Sequence, residues 1–204
     1  WTAAAEFADS LGADIISSSL GYFTFDDPSM NYKFSDLDGN RTFITQAADI
    51  AASKGILVVN SAGNERNKTW IRIIAPADGD SVLAVGAVDG YKTISAFSSA
   101  GPSFDRQIKP DVVSQGVSVP VQVQASTVDR SSGTSFSCPI ITGMCACIMQ
   151  AVPGAVNSEI ISALHSASDR FLKPDSLYGY GIPDIAVTRN RLQDKYSKKP
   201  GDGS

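Results

Sequence analysis

The 204-residue sequence predicts an α/β domain of three layers, a mostly parallel sheet with helices on both faces. Three observations point there. Four short runs, residues 14–18 (DIISS), 55–60 (GILVVN), 81–87 (SVLAVGA) and 110–113 (PDVV), are β-branched and continuously apolar rather than alternating. That is the composition of parallel strands covered on both sides. Between the first two lies FITQAADIAAS, with apolar residues at helical spacing, so strand, helix and strand follow one another as a crossover unit. Finally, GTSFSCP opens a run, IITGMCACIM, apolar on nearly every side, which fits a central helix better than a surface one.

In chain order, residues 3–8 form a helix that feeds the first strand. Thr42 is placed to cap the second helix and Gly55 to follow its C-terminus, where a left-handed conformation ends helices. Val117, Val119, Val121 and Val123 alternate with Ser118, Pro120, Gln122 and Gln124, which predicts a half-exposed strand in a hairpin that returns near Val128. The helix of Ser135 follows. Asn157 or Ser158 caps a further helix through Leu164, and a last helix follows Gly181-Ile182-Pro183-Asp184. The basic stretch 195–199 and the closing PGDGS read as a solvated end, so residues 1–190 are expected to form the domain and 191–204 a flexible tail.

Length and composition suit one globular domain, 43% hydrophobic and 19% charged. A formal net charge of −4, with no cluster of Lys and Arg before the tail, gives no reason to expect a nucleic-acid partner. No stretch reads as a signal peptide or membrane span, and the sequence begins with Trp1 rather than Met. Cys138, Cys145 and Cys147 all fall in the helix of Ser135, with no disulfide or metal-ligand spacing, and read as small buried residues.

The chemistry centres on that helix. A serine hydroxyl is a poor nucleophile until a base takes its proton and donors stabilise the oxyanion. A helix N-terminus supplies free N–H groups and a favourable dipole, and Gly133 lets a substrate backbone approach. Thr134 or Ser135 acting only as a helix cap is the plainer reading. Two further segments count against it. Asn64 stands just past the C-terminal end of the strand ending near Asn60, where ligands of parallel sheets collect. Ser19-Leu20-Gly21 leaves the same end of the neighbouring strand and can pair with an extended substrate backbone.

Together these residues resemble the subtilisin-like serine proteases. GTSFSCP (133–139) matches the family's serine motif, Ala62-Gly63-Asn64 its oxyanion-hole motif, and Ser19-Leu20-Gly21 the segment that binds substrate backbone and walls the primary specificity pocket. VGAV (85–88), FSSAGP (97–102), KPDV (109–112) and YGYG (178–181) are similar to further landmarks in the family's order, so the resemblance spans residues 3 to about 187. Phe136 and Ser137 depart from the usual Met and Ala. The resemblance implies a subtilisin-like fold and peptide-bond hydrolysis through an acyl-enzyme on Ser135. It also implies an oxyanion hole of the Ser135 N–H and the Asn64 amide, with substrate contacts from Ser19, Leu20, Gly21, Gly133 and Thr134. The partner implied is a protein or peptide, and the location secreted or at the cell envelope. An inactive relative serving as a binding module is the alternative. An α/β-hydrolase is not, because Ser137 stands where its nucleophile elbow needs glycine.

The sole histidine, His165, comes after Ser135, whereas the family's order is Asp, His, Ser. It is therefore read as structural. The resemblance then implies a domain truncated at its N-terminal side: the C-terminal half, inactive alone, expected to pair with its missing N-terminal half or to self-associate through the open edge of its first strand. Residues 21–41 make a long connection rich in aromatics and ending in Asp36-Leu37-Asp38-Gly39-Asn40. That run suggests a calcium loop but lacks the later bidentate Glu, so a turn into the capped helix is expected and no cofactor is assigned.

Overall fold

The computed structural model describes residues 1–197. Four strands, β1 (Ile15–Ser18), β2 (Leu57–Ser61), β3 (Val82–Val88) and β4 (Val112–Gln115), form one sheet in the order β1-β2-β3-β4. All its pairings are parallel, as the continuous apolar runs require. Helices α1 (Thr2–Ser10) and α2 (Phe43–Ser53) cover one face, where Ala5, Ala48 and Ala51 meet Ile56, Val58 and Val82. Helices α3 (Thr134–Ala151), α4 (Asn157–Ser166) and α5 (Ile185–Ser197) cover the other. There Cys138, Ile141, Cys145 and Ile148 of α3 pack on Leu57, Val59, Leu83, Val85 and Val112. Successive strand residues face opposite layers, so both layers are apolar.

Local signals set the ends of α2. The Thr42 hydroxyl accepts the Thr45 N–H at 3.2 Å, and Gly55, at φ 96°, follows the C-cap Lys54. The hairpin appears as β5 (Val119–Gln124) antiparallel to β6 (Thr127–Ser131). Asp38 and Asn40 form a turn into α2: the Asp38 carboxylate accepts the Asn40 N–H at 3.2 Å and pairs with Arg41 at 3.5 Å.

Four expectations need correction. Cys147 is exposed, because it lies two residues from buried Cys145 and so turns away from the sheet. The outer side of α3 is open likewise, at Pro139, Ile140, Gly143 and Ala146, so the helix is buried along one face only. By length and composition α3 could cross a membrane, but its buried face packs on the sheet. The α4 N-cap is Val156, one residue earlier than expected, and the Glu159 carboxylate accepts its N–H at 3.4 Å. The expected tail is helical through Ser197, because Leu192 buries its side chain against the core and Lys195 reaches Glu159 at 2.7 Å. Residues 198–204 of that tail lie outside the described residues.

The strand β1 stands at one edge of the sheet. The other edge, β4, is covered: Val113 donates to Gly181 O at 3.0 Å and Tyr180 to Asp111 O at 2.8 Å. Gly179, at φ 58°, makes that close approach possible, since a Cβ there would lie 2.0 Å from Pro110 O.

Candidate active site

The N-terminus of α3 is fastened to the C-terminal ends of the strands. Cys138 Sγ lies 3.6 Å from Ser18 O at the end of β1 and 3.5 Å from Val59 O in β2. Ser114 of β4 donates its hydroxyl to Ser137 O at 2.8 Å. Gly133 N donates to Gly116 O, just past β4, at 2.8 Å. Ser135 is therefore carried at the sheet edge where the β1 and β2 loops emerge. Its hydroxyl has no hydrogen-bond partner among the described residues, and Ser19 donates to its carbonyl at 3.0 Å.

Asn64 reaches the same point. Its Oδ1 accepts the Thr134 N–H at 2.9 Å and the Thr134 hydroxyl at 3.0 Å. An amide has one acceptor and one donor end. With the acceptor end held at Thr134, Nδ2 is left without a partner among the described residues, 3.4 Å from where a Cβ on Gly133 would stand. The loop bearing Asn64 is clamped by Ser99, which donates its N–H to Gly63 O at 2.9 Å and accepts the Glu65 N–H on Oγ at 3.0 Å. That pairing gives the FSSAGP stretch its place in the structure.

Ser19, Leu20, Gly21, Asn64, Gly133, Thr134 and Ser135 thus gather at one end of the sheet. Leu20 is 54% exposed, with its carbonyl held by Asn60 Nδ2 at 3.1 Å. Thr134 differs from expectation. It is 1% exposed, and its hydroxyl bonds Asn64 and the Gly63 N–H, so it braces Asn64 instead of presenting a surface to substrate. Sequence reasoning missed Asn60 and Ser99; a lone Asn within the buried run LVVNS was the available signal for the first.

Among the described residues no histidine or carboxylate hydrogen-bonds the Ser135 hydroxyl, and the sole histidine is held elsewhere. His165 Nε2 lies 3.1 Å from Asp111 Oδ1, off the angle of a good hydrogen bond, and its ring stacks on Tyr180 at 4.1 Å. Asp111 precedes β4, whereas Gly116, which holds Gly133, follows it; at ~3.3 Å per residue the two ends are roughly 15 Å apart. Burial works against the Asp111 carboxylate, yet the Lys109 ammonium at 2.9 Å and the His165 imidazole hold its pKa below the ordinary carboxylate value. Neighbouring thiols offer no nucleophile. Burial pushes Cys138 up to about 11 and Cys145 up to about 12, so both stay protonated at neutral pH. Among the described residues no group of three or more His, Cys, Asp or Glu side chains converges as a metal site would.

Comparison with known proteins adds a second line. A sequence model described as "Subtilase family" matches residues 1–181. Subtilisin DY of Bacillus licheniformis is 33% identical over 181 residues, covering 88% of this chain and 58% of that protein. The halolysin-like extracellular serine protease Nep of Natrialba magadii is 33% identical over 136 residues, covering 66% of this chain and 24% of that protein. The prenylagaramide maturation protease PagA superposes with a TM-score of 0.74 at 24% identity, covering 94% of this chain and 66% of that one, which shows likeness of fold. The chain spans less than two thirds of the length of these curated relatives.

Proposed function

The chain belongs to the subtilase family, and from that premise we propose that it is the serine-bearing part of a subtilisin-type endopeptidase. In this reading Ser135 Oγ attacks the carbonyl carbon of a peptide bond. The bond forms as the hydroxyl proton passes to a histidine outside these 204 residues. The oxyanion takes hydrogen bonds from Asn64 Nδ2 and the Ser135 N–H. Collapse expels the amine, which receives the proton, and water then releases the acyl group. Ser19, Leu20 and Gly21 pair with the substrate backbone. The reaction needs a base and hydrogen-bond donors, so no cofactor is assigned. An extracellular or cell-envelope location goes with the family and with the name of the Natrialba relative.

The observation that carries the reading is the Asn64 amide, fixed by its oxygen at Thr134 so that its N–H₂ is left for another acceptor beside Ser135. Since His165 is engaged with Asp111, the 204 residues alone are expected to be inactive. The open edge of β1 is where a further strand, from the rest of the domain or from a second copy, would add.

A fluorophosphonate probe tests this. The full-length protein should be labelled and should lose labelling on Ser135→Ala, while the 204-residue chain alone stays unlabelled. A full-length protein that binds peptides without labelling would identify a binding module instead. Labelling of Ser135 in the 204-residue chain alone would mean that a base reaches it from within.

A further inference from the structure

Two backbone segments leave the sheet beside Ser135: residues 19–21 from β1 and residues 62–64 from β2. On the peptidase reading the acyl-side residue of a bound peptide lies against these segments, so what fills the space between them limits its side chain. Residue 74 is stitched to both. Ile74 N donates to Ala62 O at 3.3 Å, and the next carbonyl, Ala75 O, accepts the Tyr22 N–H at 2.9 Å. Its side chain fills the space between. A Cβ on Gly21 would lie 2.3 Å from Ile74 Cδ1 and 2.5 Å from Cγ1; one on Gly63 would lie 2.9 Å from Cγ1 and 3.0 Å from Cδ1. The Cγ1–Cδ1 arm of Ile74 is therefore wedged against both glycines, and the residue is only 8% exposed.

We propose that Ile74 plugs the gap between residues 19–21 and residues 62–64, so that the protease accepts only a small side chain (Gly, Ala or Ser) on the acyl side of the bond it cuts. This rests on the peptidase reading above. The physical reason is packing. Protein interiors are filled nearly to crystal density, so a bulky substrate side chain enters only where side-chain volume is absent. Here the volume is occupied by a buried isoleucine braced on both sides by main chain, and swinging the arm aside would drive it into Gly21 or Gly63. A bulky residue at this position therefore loses its pocket, while a methyl group or hydrogen needs none.

The test uses the full-length protein and a series of peptide anilides differing only in the residue before the scissile bond. Each methylene that a pocket accepts or refuses is worth about 10–200-fold in kcat/KM. The native protein should prefer Ala over Phe by about 10²-fold or more. Ile74→Ala should move the Phe/Ala ratio of kcat/KM toward Phe by about 10²-fold. Ile74→Val, which loses only Cδ1 and keeps most of the buried volume, should move the Leu/Ala ratio by about tenfold. The valine variant decides the matter if the alanine variant does not fold. A native preference for Phe or Leu overturns the inference, as do ratios unmoved in Ile74→Val; in either case Ser135 still labels. Absence of both cleavage and labelling instead overturns the peptidase reading, and the role of Ile74 falls with it.

Discussion

Asn64 Oδ1 accepts the Thr134 N–H at 2.9 Å, one residue before Ser135. This contact orients the amide, and it separates two roles that one substitution can tell apart. In the full-length protein Asn64→Asp keeps an acceptor for Thr134 but replaces the donor with oxygen. Asn64→Ala removes both. Both variants should lose about 10²–10³-fold in kcat, a range established for such a donor in subtilisin itself and carried over from it, with little change in KM. If Asn64→Asp keeps most of its kcat, the amide serves only to tether Thr134. Steady-state kinetics on one peptide anilide makes the comparison.

His165 stacks on Tyr180 at 4.1 Å and lies beside Asp111, which predicts a packing role for it. His165→Phe keeps a ring against Tyr180 and removes the imidazole from Asp111. Turnover should stay close to that of the unaltered protein, far from the ~10²–10⁴-fold loss that removing a general base causes. A loss on that scale, with an unchanged melting temperature, would place His165 in the chemistry.

Lys109 is 2% exposed, and its ammonium is fully engaged: it donates to Gly79 O at 2.9 Å, Val82 O at 2.8 Å and Asp111 Oδ2 at 2.9 Å. Lys109→Met leaves Asp111 buried without its main counter-charge and should cost about 3–5 kcal/mol in urea unfolding. Lys109→Met combined with Asp111→Leu should cost less than the single change, because no uncompensated charge remains. A double variant weaker than the single one would show that Asp111 is held chiefly by the Ala84 N–H and His165.

The same pair predicts an acid limb. The pKa of Asp111 is lower in the folded chain than in the unfolded one, mainly through Lys109 working against burial. Its contribution is therefore fully present above about pH 4, the unfolded value, and is lost as pH falls through the lowered folded value. Asp111→Asn should remove that part of the decline in the unfolding midpoint that sets in as pH falls below about 4. An unchanged acid limb would assign the decline to other carboxylates.

Gly179 should tolerate no side chain. At φ 58° a Cβ would meet Pro110 O at 2.0 Å and Asp111 O at 2.4 Å, both of them main chain. Gly179→Ala should lower stability by more than the ~1 kcal/mol of a left-handed alanine alone, because β4 must give way as well. Differential scanning calorimetry reads the loss. A melting temperature equal to that of the unaltered protein would mean that the 178–181 segment does not brace β4.

Much of this molecule was fixed by local chemistry. Short, β-branched apolar runs fit strands covered on both faces, so the four strands and the parallel sheet were expected from length and composition together. Thr42 and Gly55 bounded α2 because a cap and a left-handed residue act within one turn of the helix they end. Ser135, Asn64 and Ser19 were expected near one another because each stands where a strand ends or a helix begins, and the structure brings them to one end of the sheet. Tertiary structure decided the rest, because it concerns residues distant in sequence. It turned Thr134 inward to hold Asn64, and it placed Ser99 across residues 63–65. It brought Lys109, Asp111, His165 and Tyr180 into one buried cluster. It also set Ile74 between Gly21 and Gly63. A glycine in a loop says only that something comes close; which atom comes close is settled when strands from separate parts of the chain pack side by side.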